Sequence, residues 1–193
     1  MTAPTAPDRT PPGPARRSRG ASRWAPAAPE EPTATGALRT PVGVIRVVAS
    51  ARELLEVGFA CELRATERRG SDAPRAARAL RDEALRQLRE YLAGRRRAFD
   101  LPLAPAPTPF QAAVRRRLLA VPYGGTVTYG ELAAELGRPA ASRAVGGAAH
   151  CNPLGVVVPC HRLVGRGGAL TGYAGGLARK AWLLAHERRW RAG

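Results

Sequence analysis

Four prolines fall within the eleven residues from Phe99 to Pro109, FDLPLAPAPTP. Proline fixes φ, lacks an N–H and restricts the residue before it, so no helix or central strand runs through such a stretch. Whatever precedes it must complete its hydrogen bonding by about residue 100, and whatever follows must nucleate afresh. The stretch is predicted to link two folding units. With 193 residues, the chain can give each unit a core.

The first unit is expected at 36–103, as a small α/β domain. LRTPVGVIRVVAS and LLEVGFACEL are short, rich in Val, Ile and Leu, and separated by ARE, which suits strands of a small sheet arranged as a hairpin. Cys61, in the second of them, reads as a small buried hydrophobe. SDAPRAARALRDEALRQLREYLAG reads as a helix, with Asp72 as its cap, Pro74 in its first turn and Gly94 at its end. Leu80, Ala84, Leu88, Tyr91 and Leu92 form its apolar stripe, which is core. Residues 1–35 carry Pro, Ala, Thr and Arg with little to bury beyond Trp24, and are expected to be disordered. Arg16, Arg17, Arg19 and Arg23 there could touch phosphate without specificity.

The second unit, 104–193, opens with Thr108-Pro109-Phe110-Gln111, an N-cap, a proline at N1 and a Gln at N3. That helix should run to about Ala120, followed by a turn at VPYGGTV. Thr128-x-x-Glu131 repeats the capping pattern ahead of YGELAAEL. Gly137-Arg138-Pro139 stops that helix, and AASRAVGGAAH restarts one. Two short helices around a Gly-containing turn fit a helix-turn-helix. The second helix is nearly all small residues around one long base, Arg143, which permits close approach to a nucleic-acid groove or tight packing in a core.

Lys+Arg outnumber Asp+Glu by 31 to 15, a net charge of +16. The excess favours an anionic partner, nucleic acid first. An arginine bias of the genome accounts for it as well, since Lys180 is the only lysine. Three cysteines, Cys61, Cys151 and Cys160, are too few and odd in number for a secreted disulfide scaffold. No stretch resembles a signal peptide or a bilayer span, so a soluble cytoplasmic protein is expected.

NPLGVVVPCHRLVG, Asn152 to Gly165, poses the chemical question. An apolar run that reads as a buried strand ends in Pro159 and then Cys160-His161-Arg162. A free thiol titrates near pH 8.5, so a nucleophilic cysteine must be ionised by a base or a positive field. Neighbours on a strand point to opposite faces, so His161 can serve Cys160 only if the chain turns there, as Pro159 allows. Glu187, in LARKAWLLAHERRW, is a candidate to orient the imidazole. From residue type alone, the favoured reading of Cys160 is a structural thiol, of His161 a satisfied core histidine and of Glu187 a solvated helix residue. A zinc site from His150, Cys151, Cys160 and His161 lacks the usual ligand spacing, and no metal is expected.

From Val156 to Glu187, VVVPCHRLVGRGGALTGYAGGLARKAWLLAHE resembles the O6-alkylguanine-DNA alkyltransferases, the methylated-DNA–protein-cysteine methyltransferases. VPYGGTVTYGELAAELGRPAASRAVGGAAHCNPL is similar to the segment upstream of their Pro-Cys-His-Arg signature, here Pro159 to Arg162. The resemblance is strong over 108–187, weaker over 40–100 and absent from the tail. It implies an α+β fold: a ribonuclease-H-like sheet-plus-helix domain, then a winged-helix-like domain carrying the helix-turn-helix and the reactive cysteine. It implies direct-reversal DNA repair by a single-turnover methyltransferase that moves the alkyl group of O6-alkylguanine, and of O4-alkylthymine, to Cys160. His161 would be the base, acting through a water, with Glu187 orienting it. Asn152 would hold the surroundings of the thiol, and Tyr129 would protonate the departing guanine. Arg143 would fill the gap left by the flipped nucleotide, with Thr128, Ala140, Ala141 and Gly146 also meeting DNA. Tyr173, Ala174 and Gly175 would cover the base, with Val164 and Lys180 beside it. The implied partner is double-stranded DNA, bound by a monomer without cofactor, in a bacterial-type, nucleoid-associated setting.

The chain departs from the family pattern at three places. Arg115 stands where a tryptophan is frequent, Ala174 replaces a serine of some members, and His150-Cys151 replaces a small or basic pair. Three other readings compete. A lesion-binding relative that does no chemistry would have its nucleophile replaced, whereas Cys160 is present. A winged-helix regulator would keep Cys160 as a structural thiol and bind DNA by sequence. A cysteine hydrolase would need an oxyanion-hole motif, and none is evident.

Overall fold

A computed structural model describes residues 31–60 and 73–191. The tail arginines, Trp24, Cys61 and Asp72 lie outside these residues, so the cap assigned to Asp72 and the burial assigned to Cys61 do too. The architecture is α+β, a small sheet with one long helix followed by a helical half.

The first apolar stretch folds as two strands where the sequence suggests one. Strand β1 (Ala34–Thr40) and strand β2 (Gly43–Ala49) pair antiparallel around the two-residue turn Pro41-Val42, and strand β3 (Leu54–Ala60) joins β2 antiparallel. Gly43 takes φ of +112°, a conformation open to glycine without strain, which lets the first turn close. Strand β1 opens at Ala34, inside the stretch expected to be disordered, because Ala34 packs in a small buried cluster with Ala73 and Ala77. Helix α1 (Arg75–Leu92) covers the sheet, with Ala84, Leu88 and Tyr91 fully buried. Pro74 is its N-cap rather than a residue of its first turn, and Gly94 follows its end at φ of +74°.

The proline-rich stretch between the two halves is held down as a strap. Gln87 holds its start, donating to the Asp100 carbonyl at 2.8 Å and accepting from the Asp100 N–H at 2.9 Å. Leu54 of β3 donates to the Pro102 carbonyl, and Ala104 donates back to Leu54, so the strap lies along the edge of β3. Arg115 donates to the carbonyl of Ala104, which fastens the strap to the second half. Proline carbonyls remain good acceptors, so an edge strand can be covered by a segment that cannot donate at every residue.

Helix α2 (Pro109–Ala120) starts as expected, with Thr108 Oγ1 accepting from the Gln111 N–H at 3.2 Å. Strand β4 (Val127–Thr128) leads into helix α3 (Tyr129–Glu135), whose Thr128 and Glu131 form a reciprocal capping box. A turn through Gly137, at φ of +70°, and the short 3-10 helix Pro139–Ala141 lead to helix α4 (Ser142–His150). Strand β5 (Leu163–Val164) pairs parallel with β4, and helix α5 (Leu177–Arg189) closes the described chain.

One buried cluster runs through both halves, from Ile45 and Val57 of the sheet to Leu118, Leu132, Val145 and Leu183. No helix among the described residues is long and apolar enough to cross a membrane.

Candidate active site

The segment expected as a buried strand is buried but is not a strand. Val156, Val157 and Val158 are within a few per cent of fully enclosed, yet they form a compact knot. Val156 sits at φ of +69°, a left-handed conformation costly for a β-branched residue. Asn152 ties the knot: its Oδ1 accepts from the Leu154 N–H at 3.2 Å and its Nδ2 donates to the Val158 carbonyl at 3.2 Å. Val57 of β3 donates to the Pro153 carbonyl at 2.8 Å, so the sheet anchors the knot from outside. After Pro159 the backbone turns into a 3-10 helix, Cys160–Arg162, which replaces the alternating side-chain directions of a strand.

Cys160 Sγ receives the Asn152 amide at 3.4 Å. Burial pushes its thiol pKa up, and the Asn152 hydrogen bond opposes this only in part. The resting sulfur is therefore a thiol, and it becomes a thiolate only as a base takes its proton, in keeping with the need for a base read from the sequence. His161 is fully buried, and that burial holds its imidazole below its ordinary pKa despite the opposing pull of Glu187. It is neutral at pH 7. Its Nε2 lies 2.9 Å from Glu187 Oε1, and its buried Nδ1 has no hydrogen-bond partner among the described residues. With Nε2 carrying the hydrogen, Nδ1 presents a lone pair, the state a proton acceptor needs.

Glu187 is fully buried in α5, not solvated. Burial alone would raise its pKa, but hydrogen bonds from His161 and Arg162 outweigh it and hold the carboxyl well below the usual carboxylate range. Arg162 donates through Nε to Oε2 at 2.9 Å and through Nη2 to Oε1 at 2.9 Å, and it also donates to the Val121 carbonyl. The Gly124 N–H donates to Oε2 at 2.9 Å and the Tyr91 hydroxyl to Oε1 at 2.8 Å. Arg162 was legible as part of the signature but carried no assigned role. Tyr91 read only as core, since 96 residues separate it from Glu187.

Cys160 opens onto a cavity of about 450 Å³. Arg143, Gly146, Ala149 and His150 of α4 line one side, Tyr129 of α3 another, and the loop Thr171-Gly172-Tyr173-Ala174 the third. Gly146 lies against the Tyr129 ring, which a Cβ there would meet at 3.4 Å, ordinary contact distance. The Tyr129 hydroxyl donates to the Thr171 carbonyl at 3.1 Å and the Gly172 carbonyl at 3.2 Å. Lys180, fully buried, donates to the carbonyls of Leu163, Thr171 and Gly172 and so fixes that loop from behind.

Three residues expected to surround the base do not line the cavity. Val164 is buried in β5, where it pairs with Thr128, Lys180 stands behind the loop, and Gly175 lies beneath Tyr173, where a Cβ would come within 2.7 Å of that ring. Thr128 spends its hydroxyl on the α3 cap. Ala140 and Ala141 form the turn before α4, and Arg143 stands exposed at the cavity rim. No cluster of three or more metal-ligating side chains occurs among the described residues.

Two family models match the chain. Residues 35–105 match the ribonuclease-like domain of 6-O-methylguanine DNA methyltransferase, and residues 109–189 match its DNA-binding domain. A methylated-DNA–protein-cysteine methyltransferase of Shigella flexneri is 55% identical over 102 residues, covering 52% of this chain and 60% of that protein. One from Methanosarcina acetivorans is 53% identical over 105 residues, covering 54% and 67%. The chain thus spans about 60% of the length of the first of these relatives. Among solved structures, a Mycobacterium tuberculosis OGT in complex with DNA superposes with a TM-score of 0.69 at 37% identity, covering 81% of this chain and 93% of that one.

Proposed function

As a member of the 6-O-methylguanine DNA methyltransferase family, the chain, we propose, repairs alkylated DNA by moving the alkyl group of an O6-alkylguanine onto its own Cys160. The observation that carries this reading is a thiol at the mouth of a base-sized cavity with a buried His161–Glu187 pair directly behind it. The halves at 36–103 and 104–193 divide the work. The second binds DNA as a monomer and does the chemistry, and the first holds the knot that carries the cysteine.

Helices α3 and α4 act as a helix-turn-helix within a winged-helix-like unit, with α4 facing the groove. Ala140, Ala141 and Gly146 let the backbone approach closely, and a groove with a degenerate code suits a protein that searches for damage in any sequence. The alkyl carbon is out of reach inside a duplex, so the nucleotide must be flipped at a cost of a few kcal/mol. Arg143, free to extend from the rim, takes the vacated place in the stack.

In the cavity, His161 Nδ1 takes the thiol proton through a water. The imidazolium that forms is paired with Glu187, and the thiolate is steadied by the Asn152 amide. The sulfur attacks the alkyl carbon in line: the S–C bond forms, the C–O6 bond breaks, and the electron pair stays on guanine. Tyr129 donates a proton to the departing base and regains one from the pool that includes His161, so the thiol hydrogen ends on guanine. For this its hydroxyl must leave the Thr171 and Gly172 carbonyls, which an incoming base edge can induce. The product is a thioether that nothing in the site reverses, so each molecule reacts once and needs no cofactor. A lesion-binding protein without chemistry has no use for this constellation. O4-alkylthymine offers the same leaving geometry and is a second substrate.

Arg143→Ala tests the DNA half of this reading. Repair of O6-methylguanine in duplex DNA should fall about tenfold or more, as expected if the side chain offsets about 1.4 kcal/mol or more of the flipping cost. Reaction with a free O6-benzylguanine base, which needs no flipping, should change less than about twofold. Equal losses on both substrates would remove the stacking role.

A further inference from the structure

We propose that Tyr91 of α1 is a positioning residue for alkyl transfer, setting the proton affinity of His161 through a hydrogen bond to the oxygen of Glu187 that holds the imidazole. The inference rests on the alkyl-transfer reading above. Its basis is geometric. The Tyr91 hydroxyl is fully buried and donates to Glu187 Oε1 at 2.8 Å. Oε1 is the oxygen that receives His161 Nε2 at 2.9 Å, so phenol and imidazole share one acceptor. Among the described residues, Tyr91 is also the one hydrogen-bond partner of this carboxylate from the N-terminal half; the others are Gly124, His161 and Arg162.

The phenol itself is locked. Its ring packs edge-on to Tyr123 and tilted against Phe99 and His186, while the His186 Nε2 contacts the Tyr91 carbonyl at 2.9 Å. Burial and the Glu187 charge push its pKa well up, so it stays a donor throughout the working pH range. A donor on Oε1 draws charge from that oxygen and weakens its hold on an imidazolium. Removing the donor concentrates charge on Oε1 and makes His161 more basic. The other ionisable groups facing the pair are Arg162 and Cys160 from the signature turn, Tyr123 after α2, and Lys180 and His186 of α5. None of these hydrogen-bonds Oε1 except Arg162, which a Tyr91 substitution leaves in place.

The test compares wild type, Tyr91→Phe and Tyr123→Phe. Tyr123 supplies a buried hydroxyl in the same cluster with no hydrogen-bond partner among the described residues, so it controls for loss of a phenol as such. Transfer from a free O6-benzylguanine base is followed against pH, and His161 is titrated by 15N-histidine NMR. Tyr91→Phe should move the acid limb and the His161 titration upward by roughly half a pH unit or more, about threefold in proton affinity. The rate above the limb should stay within about threefold, and Tyr123→Phe should titrate as wild type. Replacing Tyr91 with 3,5-difluorotyrosine, a stronger donor, should shift the titration downward and serves if the Phe variant does not fold. Titrations that superimpose on wild type, or that shift equally for Tyr123→Phe, overturn the proposal. Failure of the wild type itself to take up an alkyl group would overturn the functional reading instead, and the two outcomes are distinct.

Discussion

Glu187→Gln is expected to destabilise the protein by about 3–5 kcal/mol and to slow alkyl transfer by about a hundredfold or more. The carboxylate receives His161, two nitrogens of Arg162, the Tyr91 hydroxyl and the Gly124 N–H. All of these are donors, so an amide of the same shape turns an NH2 group toward at least one of them. It also leaves the Arg162 guanidinium, 6% exposed, without its counter-charge. An unpaired buried charge costs far more than the net worth of the pair, which is why the loss is large. The pH dependence follows from the same contacts. Because the folded state holds the Glu187 pKa below its unfolded value of about 4.3, its contribution is present above that pH. It is lost as pH falls toward the lower, folded value, so acid destabilises the wild type through this group, a dependence the variant lacks at position 187. Urea titrations of wild type at pH 7 and near pH 3 follow this loss, and those of both proteins at pH 7 give the cost of the substitution. A variant as stable as wild type at pH 7 would mean that the buried network carries little of the fold.

Cys160→Ala should abolish transfer to the limit of detection, a loss of at least about a thousandfold, because Cys160 is the one thiol among the described residues that lines the cavity. The other cysteine described, Cys151, is half-buried beside Asn152 and does not line the cavity. Affinity for duplex DNA should hardly change, since Cys160 is 9% exposed and supplies none of the outward charge. Electrophoretic mobility shifts alongside a transfer assay separate the two effects. Transfer surviving in Cys160→Ala would place the acceptor elsewhere.

The parts of this fold that local chemistry dictates were open to reading from residue order. Thr108 and Thr128 each announce a helix by a hydroxyl that satisfies an N–H three residues on, and both caps form. The stripe on α1 follows from periodicity, and Gly94 and Gly137 mark true helix ends. What periodicity could not resolve is the run Val156–Val158. An apolar stretch signals burial but not conformation, and here Asn152 folds it into a knot with a left-handed valine that no propensity favours. That the linking stretch also straps the edge of β3 could not be read, because prolines forbid donation but leave carbonyls for an edge strand to use. In the site, Cys160, His161 and Asn152 lie within one short stretch and could be grouped from sequence. Glu187 could be named only as one acidic candidate on a distant helix, without its burial or its partners, and Tyr91 had no signal beyond being an aromatic residue on a core face. Contacts across such separations depend on how two halves pack, and residue order does not carry that directly. The resting protonation of Cys160 belongs to the same class, since burial rather than composition sets it.

Intact-mass spectrometry of the wild-type protein after incubation with excess duplex DNA bearing one O6-methylguanine tests the central claim most directly. The account predicts a gain of one methyl group per protein and no more, mapped by peptide fragmentation to Cys160, with unmodified guanine left in the DNA. A folded, DNA-binding protein that gains no mass, or gains it at Cys151 or Cys61 instead, would contradict it.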